Sequence, residues 1–425
     1  MKKNEWIATL SAGASLGFHT LYGEDPAALQ RAIAAITAFC DAYGEERELI
    51  LASAPGRTEV SGNHTDHNHG RILAAAVDRD TLVVASPSEG SVIRLLSEGY
   101  GEITVPIEAC RTPGAFPEGS SASLVAGLVG GLLRGGYTVG GMDAYVTTRV
   151  PAGSGLSSSA SFEVAVGAAL NHLFAGGALS PVDIARLSQY AENVYFGKPC
   201  GLMDQIVSAV GGFVEVDFLD PAAPVVEPIA SPLDEAGYVL AIVNTGGSHA
   251  DLTDEYAAVS GEMRAVASYF GREVLRGIGE EELVASIPVL RRALGDRPIL
   301  RALHFVRENK RVELASTALR EGRIEDFLAL VLASGRSSFE YLQNVYTPKH
   351  KDEQGLSLAL ALAEGALAGK AAAFRVHGGG FAGTVQVFLK REHAAGFSAL
   401  VDSVFGKGAC MLLSVRPEGA TVLSE

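Results

Sequence analysis

Pro151-Ala-Gly-Ser-Gly-Leu-Ser-Ser-Ser-Ala-Ser161 is the stretch whose reading decides the fold. Before it, Tyr145, Thr147 and Arg149 alternate with Val146, Thr148 and Val150, the period of a β-strand. After it, a long helical stretch runs from about Ser158 to Phe174. A helix start leaves backbone N–H groups unpaired and a partial positive charge facing its surroundings. The glycines let those amides approach a ligand closely. Three consecutive serines add hydroxyls able to bond phosphate or a metal ion. A phosphate cradle is therefore favoured over the alternative, a flexible Gly/Ser turn with serine caps. It is not a Walker A loop, because G-x-x-x-x-G-K-[ST] occurs nowhere, and the D-F-G of protein kinases is absent as well.

Working outward, Asp25-Pro26 supplies a cap and an N1 proline. Leu29, Ile33, Ile36, Phe39 and Tyr43 then follow at helical spacing until Gly44. Short strands are expected at Leu49–Ser53, Thr81–Ala85, Val92–Leu96, Ile103–Ile107, Phe213–Phe218 and Tyr238–Val243. A second helix is expected over Val182–Tyr195, and a strand–glycine loop–strand over Phe374–Leu389. Helices and strands mix without a regular βαβ rhythm, so the expected class is α+β. The chain of 425 residues has room for two domains, expected at 1–220 and 221–425, with a Pro/Ala-rich junction near Pro221–Pro232.

Lys and Arg total 34 against 49 Asp and Glu, a formal charge of −15. That balance argues against a nucleic-acid or anionic-membrane binder, and no obligate protein partner is implied. Cys40, Cys110, Cys200 and Cys410 form no C-x-x-C pair and read as buried thiols of a reducing compartment. No continuous apolar signal segment follows Met1, and Leu124–Leu133 is too short to span a bilayer, so a cytoplasmic location is expected.

Three further constellations carry polar chemistry. In Pro55-Gly-Arg-Thr-Glu-Val-Ser-Gly-Asn-His-Thr-Asp-His-Asn-His-Gly70, an Arg, an Asp and three His fall close together. A metal site using His64, Asp66, His67 and His69, a solvated polar loop, and a grip on a many-hydroxyl ligand all compete, the last being favoured. Gly201-Leu-Met-Asp204-Gln205 follows a helix bearing Glu192, and His377-Gly-Gly-Gly-Phe-Ala-Gly383 links two strands. Alone, Asp204 reads as a cap or turn residue and the glycine run is weak. Phosphoryl transfer to a polyol explains all four elements together.

The set resembles the GHMP small-molecule kinases, and among them the branch that phosphorylates galactose at its anomeric hydroxyl. The family's P-G-R-x-N-x-x-G-E-H-T-D-Y-N is similar to Pro55–Asn68, and P-x-G-x-G-L-S-S-S-A-S to Pro151–Ser161. A-E-x-x-x-x-G-x-P-C-G-x-M-D-Q matches Ala191–Gln205, and G-G-G-F-G-G resembles Gly378–Gly383. Arg301-Ala-Leu-His304 through Arg311 looks like the family's R-A-x-H helix. The resemblance implies an N-terminal ribosomal-protein-S5-like domain, a C-terminal ferredoxin-like domain, and an active site between them. It implies ATP as phosphoryl donor, held by Gly153, Ser154, Gly155, Leu156, Ser157 and Ser158, with Mg²⁺ on Ser159 and Glu192. Arg57 and Asp204 match the catalytic pair. Asn63, His64, Asp66, Gly201 and Tyr256 match the sugar contacts, Tyr256 through a looser likeness of His249–Tyr256 to H-S-L-x-x-S-x-Y.

Departures gather near the expected sugar pocket. The family Asn falls at Glu59, an Ile at Ser61, the pocket Glu at Asn63 and a Tyr at His67, while Ala382 replaces a Gly. Tyr346-Thr-Pro-Lys-His-Lys351 stands where the family has S-C-P-E-L-D. An Asn amide both donates and accepts, whereas an ionised Glu only accepts, so Asn63 could receive a uronate carboxylate. Galactose is the expected substrate, with galacturonate or another hexose derivative as the alternative, and a non-catalytic sugar and ATP sensor as a remoter one. The sensor reading has to explain why Arg57, Asp204, Glu192 and the serine run are all retained.

Overall fold

The computed structural model describes residues 1–247 and 252–424 and is α+β, built on two sheets. His249 of the looser motif lies outside the described residues. The first sheet has eight strands: β1 (Ile50–Ser61), β2 (Arg71–Ser88), β3 (Val92–Ser97), β4 (Gly101–Pro106), β5 (Gly141–Thr148), β6 (Phe213–Asp217), β7 (Val225–Ile229) and, from far along the chain, a three-residue strand at Thr421–Leu423. β1 and β2 form its spine, and only β3 and β5 run parallel. The second sheet is antiparallel and joins β8 (Tyr238–Asn244), β9 (Ala373–His377), β10 (Thr384–Lys390) and β11 (Cys410–Leu413) in the order β11-β8-β10-β9; the Thr421–Leu423 strand is β12.

Strand alternation assigns the cores. Ile50, Ala52, Ala54, Val83 and Ala85 face helices Ser121–Arg134, Ser158–Ala175, Pro181–Tyr190 and Met203–Val210. Leu49, Leu51, Leu82 and Val84 face the opposite way, onto helices Lys3–Ser11 and Pro26–Tyr43. Farther along β1 and β2, Val60, Leu73, Ala75 and Val77 pack with Leu240, Val312 and Phe388, so a continuous apolar layer joins the sheets. At roughly 25 cal/mol per Å² of apolar surface removed from water, such a layer resists opening between them.

Most expected elements are present. Asp25 caps Pro26–Tyr43 by accepting from Ala27 N at 2.9 Å, and Gly44 ends it with φ +100°. The strand expected to stop at Ser53 instead continues to Ser61 through Pro55-Gly56. Its pairing with β2 shifts register between Pro55 and Arg57 and again between Glu59 and Ser61. Bulges of this kind absorb a proline that cannot donate to the ladder. The helix expected over Val182–Tyr195 closes at Tyr190 and widens into a π turn, Ala191–Phe196, which carries Glu192. Helices Lys3–Ser11 and Leu16–Tyr22 precede the first expected helix. All four thiols are free, Cys40 and Cys110 buried but Cys200 and Cys410 only half-buried. No helix among the described residues is long and apolar enough to cross a membrane.

Candidate active site

Arg57 meets Asp204 at the junction of three motifs. Its guanidinium grips the carboxylate through both forks, Nε to Oδ1 at 2.7 Å and Nη2 to Oδ2 at 2.6 Å. Nη1 donates to the Gly155 carbonyl, and Ser157 Oγ donates to Asp204 Oδ2. The backbone adds Arg57 N to Leu156 O at 3.0 Å. A Cβ on Gly56 would meet that same carbonyl at 2.7 Å, so only glycine lets β1 and the 151–161 loop approach this closely. Burial alone would push the Asp204 carboxyl up, but the Arg57 charge and its bonds, with Ser157 and Lys198, hold it below the usual range.

The loop is built from backbone. Gly153, Gly155 and Ser157 have φ of +72°, +75° and +57°, while the intervening residues keep negative values. Such alternation turns successive N–H groups into a concavity suited to an anion. Ser154 and Leu156 turn their side chains inward: Ser154 Oγ donates to Pro151 O at 2.7 Å, and Leu156 is fully buried against Val60 and Val150. Gly153 and Gly155 are open, and Ser158 begins the helix that follows. Ser161 is structural, donating to Ala54 O at 2.8 Å.

Behind the helix start lies a carboxylate-rich corner. Glu192 accepts from Lys198 Nζ at 2.9 Å and from Gln205 Nε2 at 2.9 Å. Glu163 is buried beside it with Oε1 unpartnered, and burial and the Glu192 charge push its carboxyl well up. Ser159 lies on the first turn of helix Ser158–Ala175 and Glu192 on the π turn, and both offer oxygens of the kind a hard cation takes. No group of three or more His, Cys, Asp or Glu among the described residues could hold a metal alone, so neither His64, Asp66, His67 and His69 nor the Glu192 corner is a self-sufficient centre.

Beyond Arg57 opens a cavity of about 160 Å³ lined by residues of the first and third motifs, among them Glu59, Asn63, His64, Asp66 and Gly379. Asp66 caps His67 N at 2.9 Å, and a Cβ on Gly201 would lie 2.9 Å from Asp66 Oδ2, which places Gly201 against it. His64 Nε2 meets Gly379 O at 2.9 Å, and burial lowers its pKa to about 4. Tyr256 donates to Gly380 O at 2.9 Å and stands with its ring 6.4 Å from that of His64. The 55–70 segment is thus a buried wall of the cavity and not a solvated loop. Asn63 differs from expectation: its Nδ2 donates to Gly378 O (2.7 Å) and Glu59 Oε1 (3.0 Å), and its Oδ1 accepts from Asn344 Nδ2 (2.6 Å). The amide lines the cavity but is engaged by the protein.

Helix Asp296–Arg320 braces this wall. Buried Glu308 accepts from Ser61 Oγ at 2.8 Å and Gly62 N at 2.9 Å, and pairs with Arg311. Burial would raise its carboxyl, yet Arg311, His304 and Arg375 bring it down to about 2. His304 Nε2 meets Asn63 O at 2.9 Å.

These arrangements coincide with recognised sequence families. Residues 132–212 match the family described as GHMP kinases N terminal domain, and residues 37–87 the galactokinase galactose-binding signature. Galactokinase of Streptomyces coelicolor is 33% identical over 369 residues, covering 86% of this chain and 90% of that protein. The chain belongs to the galactokinase family of GHMP kinases. The human member is 32% identical over 391 residues, covering 91% of this chain and 95% of its own. A solved member, galactokinase of Lactococcus lactis complexed with galactose, superposes with TM-score 0.75 at 25% identity, over 91% of this chain and 98% of that one. A mevalonate kinase shares the fold at TM-score 0.61 and 15% identity.

Within this galactokinase-family site, Met203, Ile72 and Gly62 also line the cavity, and sequence reasoning did not single them out. Met203 could have been found as the neighbour of Asp204. Ile72 and Gly62 carry no chemical signal, and only the β1–β2 register brings them there.

Proposed function

We propose that this chain transfers the γ-phosphoryl group of ATP to the anomeric hydroxyl of galactose, yielding galactose 1-phosphate and ADP. The observation that carries the reading is the forked Arg57–Asp204 pair, tied to the phosphate loop through Gly155 and Ser157 and opening onto the polar cavity. The N–H groups around Gly153–Ser158 receive the ATP phosphates, and His64, Asp66, Gly201 and Tyr256 shape the sugar side. Phosphoryl transfer asks a protein mainly for positioning and charge stabilisation.

Asp204, kept ionised by Arg57, accepts a hydrogen bond from the anomeric hydroxyl and aims its oxygen at the γ-phosphorus. So lowered a carboxylate is a weak base, so the proton leaves late, as the new O–P bond forms and the bond to the ADP oxygen breaks. Arg57 lies where charge gathers on the transferring group. Ser159 and Glu192 are the residues that would hold Mg²⁺, which supplies Lewis-acid charge neutralisation when bound. Lys198 Nζ pairs with the Glu192 carboxylate at 2.9 Å.

The test is ADP release with ATP and Mg²⁺ across galactose, galacturonate, glucose, N-acetylgalactosamine, arabinose and mevalonate, with the product position fixed by phosphorus NMR. Galactose giving the 1-phosphate supports the proposal. Turnover confined to another substrate overturns the choice of sugar, and saturable binding of both ligands without ADP overturns the enzyme reading.

A further inference from the structure

One wall of the cavity is unexplained by the reaction. Glu59 lies two residues beyond Arg57 on β1, so both side chains share one face of the strand, and both line the cavity. Glu59 is buried, with Oε1 accepting from Asn63 Nδ2 at 3.0 Å. Its other oxygen, Oε2, has no hydrogen-bond partner among the described residues, yet it is not sealed inside the protein. Asn63 is engaged on three sides by Gly378, Asn344 and Glu59, so of the two groups it is the carboxylate that is left for a ligand.

The family motif quoted above has an amide at position 59 and a carboxylate at position 63, and this chain has the same two groups transposed. Changing either position alone would set two amides or two carboxylates side by side. Transposition keeps one donor facing one acceptor.

We propose that Glu59 is a substrate-contacting, specificity-determining residue, whose Oε2 accepts a hydrogen bond from a hydroxyl of a neutral hexose while Asn63 holds the carboxyl from behind. This rests on the sugar-kinase reading above. Burial pushes the Glu59 carboxyl up to about 7 against the pull of Arg375, the Asn63 bond and Arg57, as expected of a desolvated group short of a donor. A sugar hydroxyl supplies that donor. The carboxylate of a uronic acid supplies none and adds like charge, so galacturonate is the disfavoured ligand.

The experiment starts from the sugar that the unmodified protein turns over best in the panel, so a failed enzyme reading is recognised before any variant is made. In Glu59→Gln, the side-chain carbonyl must stay towards Asn63 Nδ2, which turns the NH₂ into the cavity and replaces an acceptor by a donor. The expected result is a sugar KM raised about tenfold, with kcat and the KM for ATP within about threefold, and a smaller preference over galacturonate. Glu59→Asn and Asn63→Glu should each lose about tenfold in kcat/KM, and the double variant should recover most of it. An unchanged sugar KM in a Glu59→Gln protein that still binds ATP, or a double variant no better than the worse single one, overturns the proposal and leaves the kinase reading standing.

Discussion

The two halves of the site are made of different material. The side proposed for phosphate, 151–161, presents backbone: Ser154 and Leu156 turn inward, and Gly153 and Gly155 stand exposed beside the helix start. The side proposed for the sugar presents side chains: Glu59 is tied to Asn63, Asn63 and His64 to the Gly378 and Gly379 carbonyls, and Asp66 lines the same cavity. The first keeps the family's pattern throughout, while the second departs from it at positions 59, 61, 63 and 67. Backbone recognition depends on a conformation that few sequences support. Side-chain recognition can be rewritten by exchanging partners in place.

Asp204, where the halves meet, gives the sharpest break. Asp204→Ala should lower turnover by at least about 10³-fold while the ATP dissociation constant, read by calorimetry, moves less than about threefold. Near-normal turnover would remove Asp204 from the chemistry. Next comes Gly155→Ala. Its φ of +75° is unfavourable to a side chain, and the new Cβ would stand 3.1 Å from His377 Cε1 and 3.2 Å from Thr384 Oγ1. The KM for ATP should rise by tens of fold with sugar affinity unchanged, and a matched rise in both would show that the halves are not separable.

Glu308→Ala should act on the opposite half. Removing the partner of Arg311 and the acceptor of Ser61 and Gly62 should cost about 3 kcal/mol in urea unfolding and raise the sugar KM about tenfold, leaving the KM for ATP alone. The smallest effect concerns acid. Burial is the chief cause that lowers His377 to about 3, and it also lowers His304. Both are neutral when folded but take up protons when unfolded below about pH 6.5, so stability is full above that pH and falls as acid is added, by up to about 1.4 kcal/mol per unit for each. Glu59 and Glu163, whose carboxyls burial raises, take up protons in the folded protein over the same range and oppose that loss. The test is therefore differential: between pH 7 and pH 5 the urea midpoint of His377→Gln should fall less, or rise more, than that of the unmodified protein. An identical pH dependence in the two proteins would show that His377 is not held neutral.

Local grammar made much of this legible. The Pro26–Tyr43 helix with both caps, the alternating strands and the loop at 151–161 are patterns within some twenty residues of chain. What was hidden depends on distant partners. The Pro55-Gly56 pair reads as a stop, yet the strand passes through because its neighbour shifts register. Asn63 reads as free to meet a ligand, yet its amide partners Asn344 and Gly378 come 281 and 315 residues later. The Glu59–Asn63 bond is only four residues long in sequence and could have been suspected from the transposed motif; its orientation could not.

The pairing of β12 with β1 sets a timetable for biosynthesis. Leu51, Ala52 and Ser53 find their outer partners in Leu423, Val422 and Thr421, about 370 residues downstream. Arg416 lies beside Ser53 and Asp80 in the same region. At about 5–20 residues per second, a ribosome needs tens of seconds to deliver that covering strand. Throughout that interval the strand that carries Arg57 has an open edge, able to pair with a neighbouring nascent chain. The strand that carries Arg57 is made long before the strand that covers it, which makes the nascent chain's exposure to aggregation a function of translation speed.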